Sequence, residues 1–177
     1  MKGLREFEIP YVGLKIGIHK FSFDIDGKFF DYFKDSPIQD CNVKVNLEFE
    51  KKETFFILNF FIDGSVKVEC DRCLITFDKP IFGDYVCYVK FAEEPEKEND
   101  EPDVLFIGRE QTVIDLSQLL YEYVNLCLPM QKLGCESPGN EPQCNKEVLK
   151  YLTPGNGESK KEEEVDPRWA ALKNLKN

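Results

Sequence analysis

Between residues 41 and 50 apolar and polar side chains alternate without a break. Cys41, Val43, Val45, Leu47 and Phe49 share one parity, and Asn42, Lys44, Asn46, Glu48 and Glu50 the other. A period of two is strand geometry, so this segment predicts a strand with one face on a core and one face in water. The next run, "ETFFILNFFI" at 53–62, is apolar at both parities and predicts a central strand covered on both sides. Asp63-Gly64 then reads as a hairpin turn into "SVKVEC". "LKIGIHKFSFDID" ahead of these runs and "IFGDYVCYVKF" behind them have strand character too, with "KFFDYFKD" a short helix or turn.

Residues 104–130 read as strand, turn and helix. Asp115 is a good N-cap, Gln118 stands where a capping box needs it, and Ile114 with Leu119 would form the hydrophobic staple. Leu116, Leu119, Leu120, Tyr123, Val124 and Cys127 follow the helical stripe, and Pro129 ends it. "NKEVLKYL" predicts two further helical turns. The fold class is therefore α+β: a mostly antiparallel sheet with one main packed helix and a tethered short helix at the end. Residues 1–152 form the domain, with a Cys-bearing loop at 131–144 and a solvated acidic loop at 92–103. Residues 153–165 are a charged linker, and "DPRWAALKNLKN" at 166–177 is a capped helix with Trp169, Leu172 and Leu175 as its apolar residues.

The formal net charge of −10 narrows the partners. An acidic chain gains little from counterion release on nucleic acid, so a basic protein is the better electrostatic match than bare RNA, and DNA is not expected. A simple gain in solubility explains the charge equally well. No signal-like or spanning apolar run is present, so no membrane contact is expected. Seven cysteines are an odd number for a secreted disulfide framework and fit a reducing compartment, the cytoplasm. His19 is the lone histidine and sits outside any motif, which removes Ser-His-Asp and Cys-His catalysis. Neither a phosphate-binding loop motif nor a dinucleotide fingerprint occurs. The chain is not expected to be an enzyme.

The chemistry-bearing residues are the cysteines of "CDRCLITF" and "GCESPGNEPQC". Cys70 and Cys73 fall at a turn between two strand patterns, with no helix after Cys73 to depress a redox thiol. Cys135 and Cys144 lie in a loop with no apolar reason for order. Four cysteines on two segments match a closed structural zinc site, although the second spacing, C-x8-C, is looser than usual. From spacing alone a zinc site and four free thiols both remain open. Cys41, Cys87 and Cys127 read as core residues.

"CDRCLITF", the acidic stretch, "IDLSQLLYEYVNLCLPM", the Cys-bearing loop and the terminal "DPRWAALKNL" together resemble the YceD family of large ribosomal RNA subunit accumulation proteins. The likeness covers about residues 40–177, and C-x-R-C, here Cys70, Arg72 and Cys73, is its most specific motif. The resemblance implies a non-catalytic role in ribosome biogenesis, with a basic large-subunit or assembly protein as partner. Arg72, Arg168, Trp169 and Leu172 are the expected partner contacts, and hydrogen bonding within the turn is a competing role for Arg72. A zinc-stapled interaction module unrelated to ribosomes is the alternative. A metal-dependent hydrolase is a weaker one, because four sulfur ligands leave a zinc ion no open position.

Overall fold

The computed structural model describes residues 4–34, 36–38, 40–93, 103–134 and 145–152. A 3-10 turn at Arg5–Phe7 leads into β1 (Glu8–Ile9), β2 (Gly17–Asp26) and the short α1 (Gly27–Phe30). Three long strands follow: β3 (Asp40–Lys51), β4 (Phe55–Glu69) and β5 (Thr76–Ala92). β6 (Val104–Gly108), β7 (Ile114–Asp115), α2 (Ser117–Leu126) and α3 (Lys146–Leu152) complete the described elements. The main sheet has the order β2-β3-β4-β5-β6, and β1 pairs separately with β7. Every pairing is antiparallel except β5 with β6, where Tyr88–Ala92 runs parallel to Val104–Gly108. The α+β class read from the sequence is the one observed. The terminal helix expected at 166–177 lies outside the described residues.

The alternation at 41–50 is realised residue by residue. Val43, Val45, Leu47 and Phe49 are all buried, and their polar neighbours face the other way. Phe56, Leu58, Phe60 and Ile62 of β4 and Cys87 and Val89 of β5 extend this inner face. The N-terminal segment and both α1 and α2 cover it. Tyr11 packs on Phe56 with ring centroids 5.1 Å apart, and Phe7 meets Phe29 of α1 at 4.8 Å. Tyr123 of α2 stacks on Tyr85 at 4.5 Å and meets Phe60 edge-on at 5.2 Å. Each such side chain removed from water contributes about 1.5–3 kcal/mol, so this aromatic layer dominates the fold's stability. Lys51 ties down the N-terminal segment, its ammonium donating to the carbonyls of Tyr11 at 2.9 Å and Leu14 at 2.8 Å.

Three expectations need correction. Asp63-Gly64 is no turn: β4 runs straight through it, with Asp63 opposite Lys44 and Phe82, and Gly64 opposite Val43 and Ile81. Glycine is needed there because β3 comes so close. A Cβ on residue 64 would lie 2.6 Å from Val43 Cα and would collide with the Asn42 carbonyl oxygen. Second, β4 is central but not covered on both sides by the described elements. Phe55 and Ile57 are half-buried by their neighbours within the sheet, and Phe61 is exposed. Third, the capping box is not made, because α2 starts one residue later than expected, with Leu116 rather than Asp115 at its N-cap and no side-chain cap. Asp115 Oδ1 accepts from the Ser117 amide at 2.8 Å, but the Gln118 side chain donates to Glu122 Oε1 at 2.7 Å instead of reaching back. The stripe on α2 is as expected, with Leu116, Leu120, Tyr123 and Val124 buried.

Candidate functional site

β4 and β5 are two arms of one long hairpin, and Cys70 and Cys73 form its tip. The last strand pair is Glu69 with Thr76. Beyond it the Cys70 amide donates to the Ile75 carbonyl at 2.8 Å, and the Leu74 amide donates to the Cys70 carbonyl at 2.9 Å. That closure puts Leu74 in the left-handed region at φ 59°, the place where a glycine usually eases such a turn. A non-glycine residue held there costs on the order of 1 kcal/mol, and Leu74 remains exposed. The turn folds both sulfurs inward, so Cys70 and Cys73 are completely buried.

Burial alone would push the Cys70 thiol up. It is outweighed by the backbone N–H groups of Arg72, Cys73 and Gly134 and by the Cys73 thiol, all directed at the same sulfur, and the result is a pKa lowered to about 7. Amides converging on sulfur favour thiolate, the form that ligates a metal. The core cysteines behave in the opposite way. Burial, with Asp26 and Asp40 nearby, pushes Cys41 up to about 12, and burial pushes Cys127 up. Both are half-buried against the core.

The Gly134 amide comes from the loop after α2, and a residue the sequence reading passed over holds that loop in place. Asp71 Oδ2 accepts from the Lys132 amide at 2.7 Å, and the Asp71 amide donates to the Lys132 carbonyl at 2.9 Å. The Lys132 ammonium adds an ion pair to Asp71 Oδ1 at 3.3 Å. These Lys132 bonds hold the Asp71 carboxyl below its ordinary value. Gly134 itself lies flat on Phe77, where a Cβ would come within 2.7 Å of the ring. The signal was present as an acid between two cysteines, but only the fold shows that it faces Lys132. A cleft of about 300 Å³ opens beside the tip, lined among others by Lys67, Glu69, Cys70, Leu74 and Lys132.

The structure brings Cys70 and Cys73 together. Cys135 and Cys144, and the tail residues Arg168, Trp169 and Leu172, lie outside the described residues. Among the described residues no group of three or more His, Cys, Asp or Glu is arranged to hold a metal. Arg72 is exposed at the tip, and its guanidinium makes no hydrogen bond or ion pair to a described residue. Asp71 beside it joins the turn to the loop after α2. His19 Nε2 donates to the Lys15 carbonyl, 2.8 Å away. Among the described residues, no helix is long and apolar enough to cross a membrane.

The family model described as "Large ribosomal RNA subunit accumulation protein YceD" matches residues 58–176, which begin within β4 and include the hairpin tip, α2 and both cysteine pairs. The chain belongs to the YceD family. Membership connects it with accumulation of large-subunit ribosomal RNA, and the family is not a known enzyme family. No curated protein and no solved structure matches the chain significantly.

Proposed function

We propose that this YceD-family chain is a non-catalytic accessory factor in large-ribosomal-subunit assembly, acting in the cytoplasm through a basic protein partner. A zinc ion, in this reading, joins Cys70 and Cys73 to Cys135 and Cys144. Family membership supports the ribosomal role, and the net charge of −10 supports a cationic partner. One observation carries the metal reading: the Gly134 amide already reaches the Cys70 sulfur, and the next residue in the chain is Cys135. The donor set fits zinc, with two buried sulfurs at a turn, one of them held toward thiolate by three amides. Bound zinc supplies cross-linking of two chain segments and, with four sulfur ligands, no open coordination position for catalysis. Arg72, on the exposed rim of the tip, and Arg168, Trp169 and Leu172 of the tail are the proposed partner contacts.

Sedimentation of ribosomes from a strain lacking this protein tests the role, the expected result being depleted large subunits with precursor particles. A normal profile refutes it. Elemental analysis of protein purified without chelator tests the metal. One zinc per chain is expected, falling to none in Cys73→Ser, and a metal-free wild-type protein ends the zinc reading. Binding to RNA-free large-subunit proteins is expected to weaken with salt, because the contacts are between solvated charges. Tight binding to bare ribosomal RNA with indifference to those proteins refutes the partner.

A further inference from the structure

The outer face of the main sheet carries neither the core nor the cysteine tip. α1 and α2 both lie on the opposite face, through Phe29, Phe30, Leu120 and Tyr123. On the outer face the register sets Phe61 opposite Asp84 and Asp63 opposite Phe82. Two phenyl rings and two carboxylates therefore alternate in a square across β4 and β5, with directly opposed side chains about 5 Å apart at Cβ. Phe82 is 83% exposed and Phe61 41%. Lys44 stands opposite Asp63 on β3, but neither aspartate closes an ion pair with a described residue. The apolar surface continues through Val86 and Tyr88, each 41% exposed, and Ile57. A shallow hollow beside Ser22, Asn46 and Glu48 is lined by Phe61, and a second lies at the far end of the strip beside Phe55 and Tyr88.

We propose that this face, centred on Phe61, Asp63, Phe82 and Asp84, is a docking surface for an arginine- or lysine-bearing segment of a protein partner. The proposal rests on the partner reading above and assigns a surface to it. The chemistry selects the occupant. A guanidinium laid over a phenyl ring gains from the ring's negative face, and a carboxylate beside that ring accepts its N–H groups in pairs. A checkerboard of the two offers both at once to a cationic side chain. The strip formed by Val86, Tyr88 and Ile57 takes up the apolar residues of the same segment, which a purely ionic patch does not. A phosphate backbone meets repulsion at Asp63 and Asp84 and finds no arginine in the square.

The test uses the full-length chain against RNA-free total protein of the large ribosomal subunit, with bare large-subunit RNA in parallel. Two double variants remove different halves of the chemistry: Phe61→Ser with Phe82→Ser, and Asp63→Asn with Asp84→Asn. Ile18→Ser, exposed on the same face but on β2, is the control. Each double variant is expected to bind roughly tenfold more weakly or worse, with the control within about twofold. All four altered residues are exposed, so thermal unfolding is expected to stay unchanged, and the aspartate pair keeps the test open if the phenylalanine pair misfolds. Wild-type binding that both double variants retain overturns the surface and leaves the functional reading standing. Wild-type protein that binds none of these proteins overturns the functional reading itself, and the surface with it. Loss of RNA binding instead of protein binding in the variants overturns the occupant. So does a red shift of Trp169 fluorescence in the phenylalanine variant alone, which would show that the chain's own tail covers the face.

Discussion

Cys70 and Cys87 are both buried, at 0% and 1% exposure, along the same hairpin. Cys70 is held at about 7, and Cys87 is pushed up to about 11. For Cys87 burial dominates, and the Leu105 amide and the Tyr123 hydroxyl offset little of it while Asp103 adds to it. For Cys70 burial is the largest influence as well, yet amides from two chain segments overrule it. The difference lies in the backbone. Inside a ladder the strand spends its N–H groups on neighbouring strands, whereas a turn leaves them pointing at whatever it encloses. Depth below the surface therefore does not separate the acidic thiol at the tip from the packing cysteine, but the supply of uncommitted amides does.

Changes in the sheet centre are expected to cost global stability, and changes at the tip to act locally. Phe60→Ala should have the largest effect, about 3–5 kcal/mol, because it opens a cavity between β4 and Tyr123. An unfolding free energy from urea denaturation lowered by less than a third of that would show that the aromatic layer is not the chief support. Gly64→Ala comes next, at about 1–3 kcal/mol, since β3 has to move away from a new methyl group. If the glycine served only a turn, as the sequence suggested, the same change would be nearly silent in the denaturation curve.

Thiolate absorbance of metal-free protein, followed in Cys87→Ser and in Cys70→Ser, sharpens the contrast directly. The Cys70 signal is expected to rise around pH 7, and the Cys87 signal only toward pH 11. The linked stabilities have opposite signs. Cys70 is depressed from 9.0, so its contribution is complete above about pH 9 and is lost as pH falls through 7. Cys87 is raised, so its contribution is complete below about pH 9 and is lost as pH climbs toward 11. The smallest global effect is expected for Asp71→Ala. Amide exchange should quicken at Lys132–Gly134 while the urea midpoint stays where it was, and a global loss would mean that tip and core are one unit.

What the sequence made legible follows from periodicity. Val43 to Phe49 announces a strand because each side chain meets one environment, and the α2 stripe announces itself in the same way. The tip was legible as a turn, since Cys70 and Cys73 interrupt two β patterns. Gly64 was misread because a dipeptide cannot reveal how near the next strand runs. The outer face was missed because an apolar residue at both parities looks the same whether a helix, a partner or water lies above it. Asp71 escaped because its meaning depends on Lys132, which only the fold brings beside it.

The hairpin also has a mechanical consequence. β4 and β5 are 15 and 17 residues long, so the ladder between them reaches about 50 Å, at roughly 3.3 Å per residue. Pulled apart at its open end, where Phe55 pairs with Lys90, such a ribbon gives way one rung after another, each yielding at low force. Pulled along its length, with one arm drawn against the other, all the rungs carry the load together. The protein is thus weak to peeling and strong to shear, and the Cys70–Cys73 turn is the last part of the ribbon that peeling would reach.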